Sequence, residues 1–108
     1  MSPFAKLPPP PYYTVIFSSQ RSSGEDGYDQ MADRMVELAG EQDGYLGIES
    51  TRGSDGFGIT VSYWRDEVSI VNWKRNAEHK IAQQYGQERW YEHFELRIAK
   101  VARAYSKT

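Results

Sequence analysis

Polar side chains suited to acid–base chemistry follow one face of a predicted helix in the second half of the chain. Asn72, Asn76, His79 and Gln83 stand at offsets of 0, 4, 7 and 11 residues, which places them on one stripe of an α-helix. An imidazole side chain can both accept and donate a proton, and His79 has Asn76 one turn away, so this pair predicts a proton-transfer site. A solvated outer helix face has the same pattern, and the sequence leaves both interpretations open.

Large aromatic residues lie before, within and after this stripe in the sequence. Trp64, Trp73 and Trp90 are the three tryptophans of the chain, and Tyr91 follows the last of them. As walls of a pocket, these rings stack on a flat aromatic ligand. As core residues, they fill space and pair their N–H or O–H groups. We predict that they bind substrate, with core packing as the alternative.

The sequence lacks the residue patterns that metal binding and thiol chemistry need. The chain has no cysteine, which excludes a disulfide and a thiolate nucleophile. His79 and His93 are far apart in sequence and lack the spacing of a zinc motif. The glycine-rich run Gly53–Gly58 lies in a predicted hairpin turn, without the strand-to-helix context of a phosphate loop. We therefore expect no metal and no cofactor.

Length and charge restrict the class of protein. A chain of 108 residues predicts one domain, and a net charge of −2 argues against nucleic-acid binding. Residues 1–63 carry 4 basic and 9 acidic groups, or −5, whereas residues 64–108 carry 9 and 6, or +3. No stretch reaches the roughly 18 apolar residues of a membrane span, and the start has no apolar run. We expect a cytoplasmic protein without a membrane partner.

Hydrophobic periodicity predicts six elements in the order β-α-β-β-α-β. The predicted strands are Tyr12–Ser19, Gly44–Arg52, Phe57–Trp64 and Trp90–Tyr105. The first helix has Glu25 and Asp26 at its start and Gly40 as its stop signal. The second has Asp66 as N-cap and Gly86 after its end, with a break or tightening expected near Arg75–Asn76. The glycines of the second strand indicate a bulge or a close backbone approach.

This order is typical of the ferredoxin-like fold, with two helices on one face of a four-stranded antiparallel sheet. The other face of the sheet carries too little polarity to be fully solvated. A second copy that pairs the two sheets into a barrel satisfies this requirement, so we predict a homodimer. Residues 1–11 end in four prolines and predict an extended arm before the domain of residues 12–108.

The run Tyr63-Trp64-Arg65-Asp66-Glu67, then Asn72-Trp73-Lys74, Glu78-His79, Ala82-Gln83, Gly86 and Trp90-Tyr91, resembles the antibiotic biosynthesis monooxygenase (ABM) domain family. The likeness is to its small uncharacterised bacterial members. It implies an α+β, ferredoxin-like subunit in a dimeric α/β barrel. The family includes cofactor-free oxygenases of phenolic compounds, which implies Tyr63, Trp73 and Asn76 as substrate contacts and His79 as base. A small phenolic or quinone-like aromatic substrate follows as the expected ligand.

Two alternatives remain beside the monooxygenase. The family also includes haem-degrading members, whose pattern has a tryptophan ten residues before a haem-ligating histidine. Here Trp73 fits, but Gln83 stands in place of the histidine, and the first strand lacks the asparagine of those enzymes. Since one fold hosts many functions, a dimeric ligand-binding module without catalysis is the third hypothesis.

Overall fold

The computed structural model describes residues 2–22, 27–85 and 90–107, and of 82–85 only the backbone. Its elements are β1 (Tyr12–Arg21), α1 (Tyr28–Glu41), β2 (Tyr45–Arg52), β3 (Phe57–Trp64), α2 (Glu67–Tyr85) and β4 (Tyr91–Val101). The strands form one antiparallel sheet in the order β2-β3-β1-β4. The predicted ferredoxin-like topology is confirmed. Neither helix of the described chain is long and apolar enough to cross a membrane.

Several sequence predictions about the elements were wrong. Strand β1 continues to Arg21, two residues beyond its predicted end at Ser19. Helix α1 continues through Gly40 to Glu41, and the backbone N–H of Gln42 then donates to the carbonyl of Ala39. Helix α2 is continuous, without a break near residues 75–76. Strand β4 ends at Val101 because its partner there is Tyr12, the first residue of β1. The predicted roles of Glu25, Asp26 and Gly86 fall outside the described residues.

The start of α2 follows the sequence prediction. Asp66 precedes the first helical residue, and its Oδ1 accepts the backbone N–H of Ser69 at 2.8 Å and the hydroxyl of Ser69 at 2.7 Å. These bonds satisfy one of the free N–H groups at the helix start. They also hold the pKa of the Asp66 carboxyl below its usual range, with a further contribution from Arg65.

The helices lie on the face of the sheet that carries Trp64, which we call the helix side. Val15, Ala39, Trp64 and Ile70 form the core there, and Tyr13, Tyr45 and Trp73 pack against it. Within the described residues, the helices pack mainly over β2 and β3, and α1 reaches β4 through the contact of Tyr28 with Tyr91. Residues paired across antiparallel strands share a face, so the pairing of Val15 with Ile98, Phe17 with Leu96 and Ser19 with Phe94 places these apolar β4 residues on the helix side. Phe94, Leu96 and Ile98 remain 54%, 42% and 48% exposed.

The opposite face is partly covered by the N-terminal arm. The backbone N–H of Ala5 donates to Glu49 at 3.0 Å. A Cβ at Gly47 would come within 2.9 Å of Ala5 and 3.3 Å of Leu7, so the arm needs the glycine at this point. The β2–β3 register shifts between Tyr45 and Gly47. The bulge and the close approach predicted from the glycines of this strand both occur.

Gly44 and Gly40 provide a matched test of this fold. Gly44 has φ +89°, and an added Cβ would overlap the Ser69 hydroxyl, whereas Gly40 is helical with nothing within 4 Å. We expect Gly44→Ala to lower the free energy of unfolding by more than about 1 kcal/mol. Gly40→Ala should raise it by about 0.5–1 kcal/mol through helix propensity. Urea unfolding measures both, and shifts of the same sign would contradict this structure of the α1–β2 connection.

Candidate functional site

Trp64 and Trp73 stack on each other between the sheet and α2. Trp64 is fully buried, and its indole N–H donates to the Ser62 hydroxyl at 2.9 Å. The ring centroids lie 5.9 Å apart with an interplanar angle of 22°, and Tyr45 meets Trp64 edge-on at 5.6 Å. In this chain Trp64 offers no surface to a ligand and packs as a core residue. Trp73 is half-buried beside it.

Tyr63 lies on the other face of the sheet from Trp64, because successive residues of a strand point to opposite sides. Its hydroxyl donates to Glu49 at 2.6 Å, and its ring meets Tyr12 edge-on at 5.8 Å. Burial, followed by the Glu49 hydrogen bond, raises the pKa of Tyr63 to about 12. The structure therefore does not bring Tyr63 together with the two tryptophans.

The polar stripe of α2 lies on the solvent side of the helix in its described part. Asn72, Asn76 and His79 are exposed, whereas Ile70, Trp73 and Ala77 turn toward the sheet. The Asn76 amide donates to Gln42 Oε1 at 2.8 Å and so joins α2 to the end of α1. The side chain of Gln83 falls outside the described residues.

Tyr91 belongs to an aromatic cluster on the helix side, where β1 ends and β4 begins. Its ring lies 5.3 Å from Phe17, 5.8 Å from Tyr28 and 6.5 Å from Phe94. The Tyr91 and Tyr28 hydroxyls are 3.4 Å apart. Burial, followed by that hydrogen bond, raises the pKa of Tyr91, so its phenol stays protonated at neutral pH.

Two arginines complete this cluster. The guanidinium carbon of Arg21 lies 3.7 Å from the centre of the Tyr28 ring. That of Arg52 lies 5.7 Å from Tyr28 and 5.8 Å from Tyr91. We call Phe17, Arg21, Tyr28, Arg52, Tyr91 and Phe94 the aromatic–arginine cluster. Rings and guanidinium groups together can stack on a flat molecule and attract negative charge.

The sequence analysis found only Tyr91 of this cluster. In the structure Arg52 pairs with Gly58, where a Cβ would come within 2.7 Å of the guanidinium carbon. A glycine in a strand often marks such a close approach.

Trp90 and His93 flank the cluster. Trp90 is buried, and its carbonyl accepts the backbone N–H of Ser22 at 2.9 Å, which holds the ends of β1 and β4 together. His93 pairs with Gln20 on the opposite face, and its Nε2 lies 2.6 Å from Glu95. Among the described residues, no group of three or more His, Cys, Asp or Glu side chains is arranged to hold a metal ion.

Two curated proteins are similar to this chain in sequence, although no protein-family model matches it. The uncharacterized protein YqjZ of Bacillus subtilis is 50% identical over 99 residues, covering 92% of this chain and 87% of YqjZ. The jasmonate monooxygenase ABM of Pyricularia oryzae is 31% identical over 94 residues, or 82% of this chain. The chain spans 43% of the length of that fungal protein.

Solved structures share the fold. SnoaB, a cofactor-independent oxygenase from Streptomyces nogalater, matches with a TM-score of 0.69 at 9% identity, covering 89% of this chain and 98% of SnoaB. A variant of MhuD with two manganese protoporphyrin IX bound per active site matches at 0.66 and 12% identity, covering 88% and 99%. A putative antibiotic biosynthesis monooxygenase from Chloroflexus aurantiacus matches at 0.62 and 14% identity, covering 90% and 97%. With its sequence shared with YqjZ and a named ABM monooxygenase, and its fold shared with these structures, the chain belongs to the ABM-like family.

Proposed function

We propose that this protein is a cofactor-independent monooxygenase that acts on a small phenolic or quinone-like aromatic molecule. The observation that carries the proposal is the aromatic–arginine cluster beside the exposed helix side of β4. Phe94 packs against Tyr91 and is 54% exposed, and the exposed apolar side chains of Leu96 and Ile98 continue from it along β4. The activities named for SnoaB and for the fungal relative support the same class of reaction.

The proposed reaction needs only substrate and O2. The ionised phenol supplies the electrons, one oxygen atom of O2 replaces the hydrogen of a ring carbon to give a quinone carbonyl, and the other leaves as water. That water takes up the hydrogen of the oxidised ring carbon and the proton of the phenol hydroxyl. The protein binds the ring, excludes water and stabilises the phenolate. Arg52 and Arg21 stabilise negative charge at the cluster, and the protonated Tyr91 supplies a hydroxyl near the ring.

The sequence analysis assigns proton transfer to His79 and Asn76. Both side chains are exposed on α2, so they can be replaced without disturbing the core. A base at His79 predicts that His79→Ala lowers kcat for a phenolic substrate about 10²–10⁴-fold. An oxygen electrode measures turnover, and Glu78→Gln, an exposed change at the adjacent position, should leave it unchanged. Turnover of His79→Ala equal to wild type would remove His79 from the mechanism and leave the aromatic–arginine cluster as the whole site.

Haem binding is a second candidate function, favoured by the porphyrin-bound MhuD structure. Trp73 is present, and the residue ten positions on is Gln83, which lacks the imidazole of a histidine ligand. We expect titration with haemin to give no Soret shift of a histidine-ligated complex, and the Gln83→His variant serves as the comparison. A saturable one-to-one shift in the wild type would make haem the ligand in place of a phenol.

We also propose that the protein is a homodimer formed through the sheet face opposite the helices. Phe57 and Ile59 are exposed there, and Ile16 and Val61 are half-buried beside them in the central strands. An apolar area at the centre of a sheet is typical of an interface between copies. Within the described residues, the arm contacts Gly47 and Glu49 of β2, whereas Phe57 and Ile59 keep 47% and 37% of their surface exposed.

Ile59→Lys tests the dimer. A lysine at the centre of the interface would place an unpaired charge in an apolar contact, so we expect a monomer by light scattering at micromolar concentration. Val71→Lys makes the same change at an exposed position on α2 and should leave the mass unchanged. A wild-type protein that is a monomer at these concentrations would disprove the proposed interface.

A further inference from the structure

Arg52 is a half-buried cation whose partners are all neutral. Its Nη1 donates to the carbonyls of Ser19 at 3.2 Å and Gly56 at 2.5 Å, and its Nη2 donates to the Ser19 hydroxyl at 2.7 Å. By contrast, Arg65 is exposed and pairs with two carboxylates, Asp43 and Asp66. No carboxylate pairs with Arg52 within the described chain, although a partly desolvated cation gains most from a counter-charge.

The hydrogen bonds of Arg52 leave one edge of its guanidinium available. The group has five N–H donors in a fixed plane. Within the described residues, both Nη1 donors and one Nη2 donor have partners, and Nε–H and the second Nη2–H have none. These two donors lie side by side, in the arrangement that binds the two oxygens of a carboxylate. The backbone of Gly58 gives the guanidinium room to lie against the sheet in this position.

The surroundings of this edge favour an anion attached to a ring. The ring centres of Tyr28 and Tyr91 lie within 6 Å of the Arg52 guanidinium carbon. The guanidinium of Arg21 makes a second cation–π contact with the Tyr28 ring. Aromatic rings reduce the access of water, which strengthens a charge-assisted hydrogen bond. A second guanidinium adds positive potential at the same end of the sheet.

The strand register connects Arg52 to the exposed apolar surface. Arg52, Gly58, Ser19 and Phe94 are paired in one row across β2, β3, β1 and β4. The next rows on the helix side contribute Phe17 with Leu96, then Val15 with Ile98. From Phe94 to Ile98 this strip is about 13 Å long at 3.3 Å per residue. Its cationic end and its apolar length match an amphipathic molecule.

We propose that Arg52, assisted by Arg21, binds the carboxylate of the substrate, and that the apolar body of the substrate lies along Phe17, Phe94 and Leu96. The substrate class is therefore an aromatic carboxylic acid that carries a phenol. This inference rests on the proposed function for the location of the substrate, and it adds the anionic group that fixes its orientation. Arg52 is a binding residue in this arrangement, and Gly58 is a positioning residue.

The test compares an acid with its neutral isostere by titration calorimetry. The probes are 3-hydroxy-2-naphthoate and 3-hydroxy-2-naphthamide, which share the ring and the phenol and differ in charge. We expect wild-type protein to bind the acid at least about tenfold more tightly. Arg52→Gln should abolish that preference, and Arg65→Gln should retain it. Leu96→Asn should weaken acid and amide alike, because it changes only the apolar strip.

Equal affinities of wild-type protein for acid and amide would overturn the inference, as would binding of neither. A folded Arg52→Gln protein that keeps the preference would do the same. If that variant fails to fold, Gly58→Ala displaces the guanidinium while retaining its charge, and should reduce the preference. Oxygen consumption separates the two proposals: acid-selective binding without O2 uptake contradicts only the monooxygenase, whereas equal turnover of acid and amide contradicts only the carboxylate site.

Discussion

The stacking of Trp64 on Trp73 holds the sheet to α2, and the rest of the subunit depends on that contact. Trp64 ends β3, the strand paired with both β1 and β2. Its ring is closed in by Trp73 from the helix and Tyr45 from β2, and its one polar atom is satisfied by Ser62. A large aromatic ring with its donor paired contributes strongly to a core of this size. The position of α2 thereby fixes which half of the sheet is covered.

Alternation along the strands was enough to predict the fold. The bounds of β3 agree with the structure at both ends, and the glycines of β2 correctly indicated a bulge and a close approach. The end of β4 was not visible in the sequence, because it depends on where β1 begins in the register. Gly40 was wrongly predicted to end α1, which continues to Glu41. A helix tolerates a glycine near its end at a modest cost in propensity.

The site was harder to predict than the fold. Tyr63 and Trp64 are adjacent in sequence, so a strand must separate them onto opposite faces. His79 lies about 120° away from Trp73 around α2, so a helix that buries Trp73 exposes His79. The aromatic–arginine cluster combines residues from β1, α1, β2 and β4. Only tertiary register brings Arg52 to Ser19 and Tyr91, and no spacing within one element reveals it.

The N-terminal arm limits how anything can approach the sheet from the side away from the helices. Glu49 accepts both the N–H of Ala5 and the hydroxyl of Tyr63, so one carboxylate fastens the arm over β2. A surface that approaches this face meets the arm over β2, whereas Phe57 and Ile59 of the neighbouring strand β3 are exposed. The arm therefore shields β2 on this face, and a chain without the arm would present Gly47 and the Glu49 carboxylate as additional accessible surface.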